Sequence, residues 1–228
     1  MDGPRSDNAQ RLAHRDRPEQ DSLRTSKYIH LLADSEPRQR LQAAQYLFND
    51  GSARILDWLN SLKRDEEFRT LLVPETTERP QGDSTGSARL TVGVAVLREN
   101  FDKIRAANGS PSLLDVSSDQ DVVEFELEFS GDSLQALRLD ILTARMPGGN
   151  GPIARFLEKF GEGIQQIEID VTDVDRATEI LRTRFGIDLI YPQTHAGANG
   201  TRMNFFLVAP PNGKKSLVEL VEQPKAIS

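Results

Sequence analysis

Carboxylates at alternate positions of apolar segments are the side chains of this sequence best suited to chemistry. In "DVVEFELEF" the residues Glu124, Glu126 and Glu128 share one face of a predicted strand, because successive side chains point to opposite sides. In "SLVELVE" the residue Glu219 is flanked by apolar neighbours. A carboxylate in such a strand must be paired, hydrated or functional. Glu219 is therefore a candidate functional group, and a solvated strand face is the alternative interpretation for the row that contains Glu124.

Two adjacent neutral amides, Gln165 and Gln166, stand at the start of the strand predicted in "GIQQIEIDV". Alternation places Gln166 on the same face as Glu168 and Asp170. Of the three histidines, two lie in the N-terminal region, and His195 lies in the loop "QTHAGANG". No Gly-rich loop follows a strand in the pattern of phosphate- or dinucleotide-binding motifs. Chemistry is therefore expected from carboxylates and amides on strands.

The length, net charge and composition of the chain exclude several classes of function. The chain has 228 residues, a formal net charge of −7 and no cysteine. The acidic balance gives no general attraction to nucleic acid or to anionic membranes, and disulfide and thiolate chemistry are excluded. No apolar run is long enough to span a bilayer. Residues 1–22 mix both charges without an apolar segment, so we interpret them as a disordered tail and expect a cytoplasmic protein.

A helical segment precedes the strands. Between residues 23 and 72 the apolar residues recur at helical spacing. The stretch "DSEPRQRLQAAQYLFNDGSARILDWLNSL" resembles one HEAT-type helical hairpin. A solenoid needs roughly three such repeats to bury its faces, so the segment is expected to pack on the next domain or on a protein partner. Residues 73–88 are rich in Pro, Gly, Ser and Thr, which is typical of a linker.

Residues 89–228 repeat the order strand, helix, strand, strand, strand, and thus predict an α+β domain of two βαβββ units forming one cupped mixed sheet with helices on its outer face. In each unit the first strand precedes a helix, "RENFDKIRAANG" or Val174–Phe185, and the helix Pro152–Phe160 links the units. The predicted strands are Leu90–Val96, Leu113–Val116, Val122–Phe129 and Ala136–Thr143, then Gln165–Val171, Ile187–Tyr191, Met203–Val208 and Ser216–Val221.

The second unit also resembles a known family. The stretches "GPIARFLEKFGEGIQQIEIDVTDVDRATEILRTRFGIDLI" and "GANGTRMNFFLVAPPNGKKSLVELVEQPK" resemble methylmalonyl-CoA epimerases of the vicinal oxygen chelate (glyoxalase-like) superfamily. The resemblance is close from Pro152 to Lys225 and thinner from Leu90 to Arg145. It implies the paired βαβββ fold and a divalent metal in the cup, held by two histidines, a glutamine or glutamate, and a glutamate.

The positions implied for these ligands carry other residues here. They fall on Gly93, Asp140, Gln166 and Glu219, so both histidines are replaced. Asp140, Gln166 and Glu219 form an all-oxygen set, which suits only a weakly held hard cation such as Mg²⁺ or Ca²⁺. We therefore expect no metal cofactor. The resemblance also implies that Glu124 and Glu219 move the proton at C2 of an acyl thioester, with Gln166, Arg138 and Arg202 as candidate hydrogen-bond donors to the ligand.

Two main functions follow, with a purely structural role as a third. One is an epimerase-like isomerase or lyase that works without the family metal. The alternative is a metal-free, non-catalytic protein that binds a neutral or cationic small molecule in the cup or serves as a scaffold. The expected partners are that small molecule, a protein bound through the helical segment and a second copy in a homodimer. Burial and like charge from Glu124 or Asp140 should raise the pKa of Glu219, whereas pairing with Arg202 would lower it.

Overall fold

The computed structural model describes residues 21–75, 88–117, 120–130, 136–209 and 215–224. The predicted tail, apart from its last two residues, lies outside the described residues, as does most of the predicted linker. The division of the chain into a helical segment, a linker and a sheet domain stays a prediction.

The N-terminal part forms four helices. They are α1 (residues 21–31), α2 (Pro37–Ala53), α3 (Leu56–Leu62) and α4 (Glu66–Leu71). Pro37 occupies the first turn of α2, where a missing N–H costs nothing. The Asp65 side chain begins α4 by accepting a hydrogen bond from the Phe68 N–H. The apolar face of α2, which includes Ala44 and Leu47, is fully buried.

The rest of the described chain builds one seven-stranded mixed sheet in the order β2-β3-β1-β4-β7-β6-β5. The first unit contributes β1 (Leu90–Ala95), β2 (Val122–Phe129) and β3 (Leu137–Ala144), and the second contributes β4 (Gly163–Asp170), β5 (His195–Ala196), β6 (Arg202–Val208) and β7 (Ser216–Glu222). Three further helices follow β1, β3 and β4, namely α5 (Arg98–Ala107), α6 (Pro152–Phe160) and α7 (Val174–Phe185). In each unit the first strand pairs in parallel with the last, and the units meet where β1 pairs antiparallel with β4.

This architecture confirms the predicted α+β class: a cupped mixed sheet with a helical segment before it. The back of the sheet, with Val92, Phe125 and Ile167, shares one apolar core with α2, α5 and α7. Alternate residues on the same strands face the concave side. Within the described residues, no helix is long and apolar enough to cross a membrane.

The helical segment packs directly on the back of the sheet. A Cβ at Gly51 would lie 2.7 Å from Val92 Cγ1, so the glycine allows α2 to approach β1 closely. On α7, Arg176 forms an ion pair with Glu67 and Arg184 forms one with Asp65. These two ion pairs hold the start of α4 against α7. Burial of the α2 face is therefore satisfied within this chain. The resemblance to a HEAT hairpin stays a prediction.

Two predicted strands are wrong. Residues 111–117 form no strand, although Leu114 N donates to Glu124 O at 3.0 Å. The ladder ends there because Asp115 N donates instead to the Asn199 side chain, which belongs to the second unit. Residues 187–191 form only an isolated bridge between Leu189 and Phe206, and the short strand β5 takes the edge of the sheet. Periodicity could not foresee either edge, because a contact between the two units ends the first ladder and pairing with β6 decides the second edge.

Candidate functional site

The concave face of the sheet encloses a cavity of about 840 Å³. Residues of β1, β2 and β3 of the first unit line it, together with residues of β4, β6, β7 and the segment before β6 of the second unit. The chain therefore forms its candidate site between its two units.

Strand register brings most of the predicted site residues together. Gly93 on β1 is paired with Asp140 on β3 and with Gln166 on β4. Asp140 is in turn opposite Glu126 on β2. Glu219 on β7 lies in the neighbouring row, opposite Glu168. Glu124 lies opposite Leu142 and also lines the cavity.

A β-bulge explains the two adjacent amides. Gly93 is opposite Gln166, but the next residue of β1, Val94, is opposite Ile164, so Gln165 is an extra residue in β4. A bulge places two successive side chains against one residue of the partner strand. Gln165 and Gln166 both line the cavity as a result, and the Gln165 Oε1 atom is buried without a hydrogen-bond partner among the described residues. Strict alternation does not predict that Gln165 lines the cavity. Two adjacent polar residues in an apolar strand nevertheless indicate a bulge.

Gln166 fills the space that Gly93 leaves open. A Cβ at Gly93 would lie 2.5 Å from Gln166 Cγ and 3.2 Å from Leu142 Cδ1. The amide Nε2 of Gln166 donates to Glu219 Oε2 at 2.7 Å and to Glu168 Oε1 at 3.0 Å. Glycine at position 93 therefore allows an amide to bridge two carboxyl groups at the centre of the cup.

Burial and like charges nearby raise the pKa values of these two carboxyl groups. Desolvation raises the pKa of Glu168 to about 8, against the lowering effect of the Gln166 hydrogen bond. Desolvation, with like charge from Glu168 and Glu124, raises the pKa of Glu219 well above its usual value. The direction predicted for Glu219 is confirmed. Arg202 does not pair with Glu219, because it binds Glu222 and Asp175.

Glu124 and Asp140 form a second carboxyl pair. Desolvation raises the pKa of Glu124 to about 7, and a hydrogen bond with Asp140 opposes that shift. The pKa of Asp140 is raised well above its usual value by burial and then by the charge of Glu124. A hydrogen bond between two carboxyl groups requires a proton on one of them, which agrees with the raised pKa values of this pair. Asp140 is 6% exposed, and its Oδ1 atom is buried with no partner among the described residues.

The cationic side chains that line the cavity are fewer than its carboxyl groups. The arginines that line the cavity are Arg89, which pairs with Asp170 at 2.9 Å, and Arg155, for which the described residues offer no carboxylate partner. Two predicted ligand-binding residues lie elsewhere. Arg138 is buried against Glu75 at 2.8 Å, outside the cavity wall. Arg202 is bound on the outside by Asp175 and Glu222. Sequence could not foresee these ion pairs, because their partners are distant along the chain or lie on another strand.

Three hydrogen bonds between the units close the rim of the cup. Asp115 N donates to Asn199 Oδ1 and Asn199 N donates to Asp115 O, both at 2.9 Å. Gln120 Nε2 donates to Ala196 O at 2.8 Å. Asn199 adopts a left-handed backbone conformation (φ 51°), which asparagine tolerates better than most residues. The loop that contains His195 is thereby fixed across the mouth of the cavity.

The residues at the centre of the cup do not fit the metal that the family resemblance implies. Gly93 provides no ligand atom, and the Gln166 amide directs its N–H groups, not its oxygen, at Glu168 and Glu219. Among the residues that the structure describes, no group of three or more His, Cys, Asp and Glu side chains is arranged to hold an ion. Carboxyl groups with raised pKa values are also weak ligands, because a metal binds the deprotonated form.

We expect the purified protein to hold less than one tightly bound transition metal per chain, because neither Gly93 nor Gln166 offers an imidazole and Gln166 occupies the centre of the cup. Elemental analysis after purification without added ions measures this, and a chelator should leave the melting temperature unchanged. Gln166→His is the matched variant, since it adds one imidazole beside Asp140 and Glu219 and should increase zinc uptake. Stoichiometric cobalt, zinc or nickel in the unmodified protein would contradict the expectation.

Comparisons with known proteins give the following relatives. No family model and no curated protein matches the chain. Among solved structures, methylmalonyl-CoA epimerase from Mycobacterium tuberculosis is 29% identical over 59% of this chain and 87% of its own, with a TM-score of 0.46. A variant of the Streptomyces coelicolor epimerase in complex with 2-nitronate-propionyl-CoA is 25% identical over 60% of this chain and 95% of its own, with a TM-score of 0.48. A methylmalonyl-CoA epimerase in complex with methylmalonyl-CoA and NH4+ gives 25% identity over the same shares, with a TM-score of 0.47. The chain is thus similar to solved methylmalonyl-CoA epimerases.

Proposed function

We propose that this protein binds a cationic small molecule in its acidic cup without a metal ion. The observation that carries the proposal is the buried Asp140 Oδ1 atom, which lines the cavity and has no partner among the described residues. A buried acceptor of this kind costs free energy unless something donates to it. The Gln165 Oε1 atom is a second such acceptor in the same cavity.

The charge of the cavity favours a cation as that donor. Six carboxyl groups line the cavity, against two arginines and His195. They are Glu124, Glu126, Asp140, Glu168, Asp170 and Glu219. Each of these groups that is ionised repels an anionic ligand, by about 4 kcal/mol for two unit charges 4 Å apart near a protein surface, and a bound cation favours the ionised form. A bound ammonium group reverses the sign of that interaction and offers N–H donors to the unpartnered oxygens.

Calorimetric titration with three ligands of similar shape tests the requirement for positive charge. The ligands are 2-phenylethylammonium, the neutral 2-phenylethanol and the anionic phenylacetate. We expect the ammonium to bind most tightly and the anion to show no binding, because only the cation neutralises the carboxyl groups. Equal affinity for the alcohol and the ammonium, or preference for the anion, would refute cation binding.

A second candidate is proton transfer next to a thioester carbonyl, the activity that the sequence resemblance implies. The observation in its favour is the pKa of Glu124, about 7, in the cavity that Glu219 also lines. A general base works best when its pKa lies near the working pH. One carboxylate would take the proton from C2, and the other carboxylic acid would return a proton to the opposite face. The enolate formed between these steps would lie among carboxyl groups, which disfavours it.

Hydrogen exchange separates the two candidates. Propionyl-CoA is incubated with the protein in D2O, and the loss of the C2 proton signal is followed by NMR. Deuterium incorporation that disappears in both Glu124→Gln and Glu219→Gln would assign proton transfer to these residues. We expect no exchange above the rate without protein.

Three further predictions from the sequence concern the partners of the protein and its location in the cell. They are a protein partner for the helical segment, a homodimer, and a cytoplasmic location. Light scattering of the purified protein measures the mass of the assembly and so tests the homodimer.

A further inference from the structure

The cavity lining combines carboxyl groups with apolar surface. Both units contribute carboxyl groups, with Glu124, Glu126 and Asp140 on β2 and β3, and Glu168, Asp170 and Glu219 on β4 and β7. The second unit also contributes an apolar wall, which consists of Ile190, Tyr191, Met203, Phe205, Leu217 and Val221. Strand register places this wall beside a carboxyl group, because Met203 and Phe205 on β6 are opposite Val221 and Glu219 on β7. The cavity therefore presents apolar surface next to its carboxyl groups.

Aromatic rings form the outer part of the apolar wall. The Tyr191 and Phe205 rings meet edge to face, with centroids 6.0 Å apart and an interplanar angle of 73°. The Ile190 N–H donates to Phe205 O at 2.9 Å, which holds this segment against β6. Ile190 and Tyr191 are each 41% exposed. Apolar surface thus lines the same cavity as the carboxyl groups and is incompletely covered.

We propose that the ligand is an amphipathic organic cation, with its ammonium group at Asp140 and its apolar or aromatic body against Tyr191 and Phe205. This inference rests on the proposed function and specifies the class of ligand. A small inorganic cation or a short amine would satisfy the carboxyl groups and leave the apolar wall exposed. A ligand with both parts removes apolar area from water and completes the hydrogen bonding of the buried oxygens.

The apolar body should contribute a large share of the affinity. Burying one large apolar side chain contributes about 1.5–3 kcal/mol, which is about tenfold or more in affinity. An aromatic ring adds a favourable edge-to-face or offset contact with Phe205 or Tyr191. These contributions are absent for an ammonium ion without a ring.

The test compares 2-phenylethylammonium with ethylammonium by calorimetry. We expect the ring to increase affinity at least about tenfold in the unmodified protein. The advantage should shrink to less than about threefold in Phe205→Ala. Phe205→Leu should keep part of it and controls for loss of folding. Leu207→Ala is the matched control, since Leu207 lies on the same strand, is exposed and does not line the cavity.

The outcomes distinguish this inference from the proposed function. Equal affinity of the two ammonium ions, or an undiminished ring advantage in Phe205→Ala, would overturn the amphipathic ligand and leave cation binding intact. Binding of neither ammonium ion would overturn both. A ring advantage that falls in Phe205→Ala and survives in Leu207→Ala supports the inference.

Discussion

Asp140→Asn is expected to weaken the binding of 2-phenylethylammonium by at least about thirtyfold, since truncating one partner of a buried charged hydrogen bond costs about 2 kcal/mol or more. The same change should leave the folded protein as stable as before or more stable. Asparagine has nearly the same shape, and it removes one of the carboxyl groups that repel Glu124, Glu168 and Glu219. Loss of binding without loss of stability is typical of a functional residue rather than a structural one.

Calorimetry and thermal unfolding of Asp140→Asn measure the two effects. Glu128→Gln is the matched control, because Glu128 lies on the same face of β2 as Glu124 but is half-exposed, pairs with Arg138 at 3.3 Å and does not line the cavity. Its affinity for the ammonium ion should be unchanged. An Asp140→Asn protein that unfolds clearly earlier and binds as tightly as the parent would show that Asp140 has a structural role.

The free energy of unfolding is expected to fall by a few kcal/mol as the pH rises from about 4.5 to about 8. Burial raises the folded-state pKa of Glu124 to about 7 and that of Glu168 to about 8. In this window the folded state therefore holds more protons than the unfolded state, so raising the pH favours unfolding. Below about pH 4.5 both states are protonated and this contribution is fully present.

Other carboxylates, whose pKa values are lowered by folding, decrease the free energy of unfolding at lower pH. The Phe68 N–H and then Arg184 lower the pKa of Asp65, and Arg176 lowers the pKa of Glu67. Those carboxylates lose their stabilising effect as the pH falls through their lowered pKa values. The two effects together predict a stability maximum near about pH 5.

Thermal unfolding between about pH 4 and pH 9 measures this dependence. The ionisable groups that line the cavity are Glu124 and Glu126 on β2, Asp140 on β3, Glu168 and Asp170 on β4, Glu219 on β7, Tyr191, His195, Arg89 and Arg155. The double variant Glu124→Gln/Glu168→Gln should flatten the decrease above pH 5, because these two groups no longer titrate. A melting temperature that rises steadily toward pH 8 would contradict the proposed protonation of the cup.

Only the tertiary structure could identify which residues line the candidate site. Gln165 enters the cavity because a bulge in β4 displaces the alternation, and a bulge depends on pairing with β1. Arg138 and Arg202 leave the candidate ligand set because each meets carboxylates brought close by folding. The loop with His195 lies across the rim because Asn199 bonds to Asp115 of the other unit. Each of these outcomes depends on contacts between residues far apart in the chain.

Apart from Gln165 at the bulge, the sequence by itself determined which side chains of β2, β4 and β7 face the cup, because alternation is a local property of an extended backbone. It thus placed Glu124, Gln166 and Glu219 on the concave face, and it predicted the raised pKa of Glu219 from an apolar strand and nearby like charges. Strand register, the bulge and the choice of ion-pair partners were decided only in the folded sheet. The reason is physical: these features depend on distances across strands, where a shift of one residue exchanges the faces of a strand.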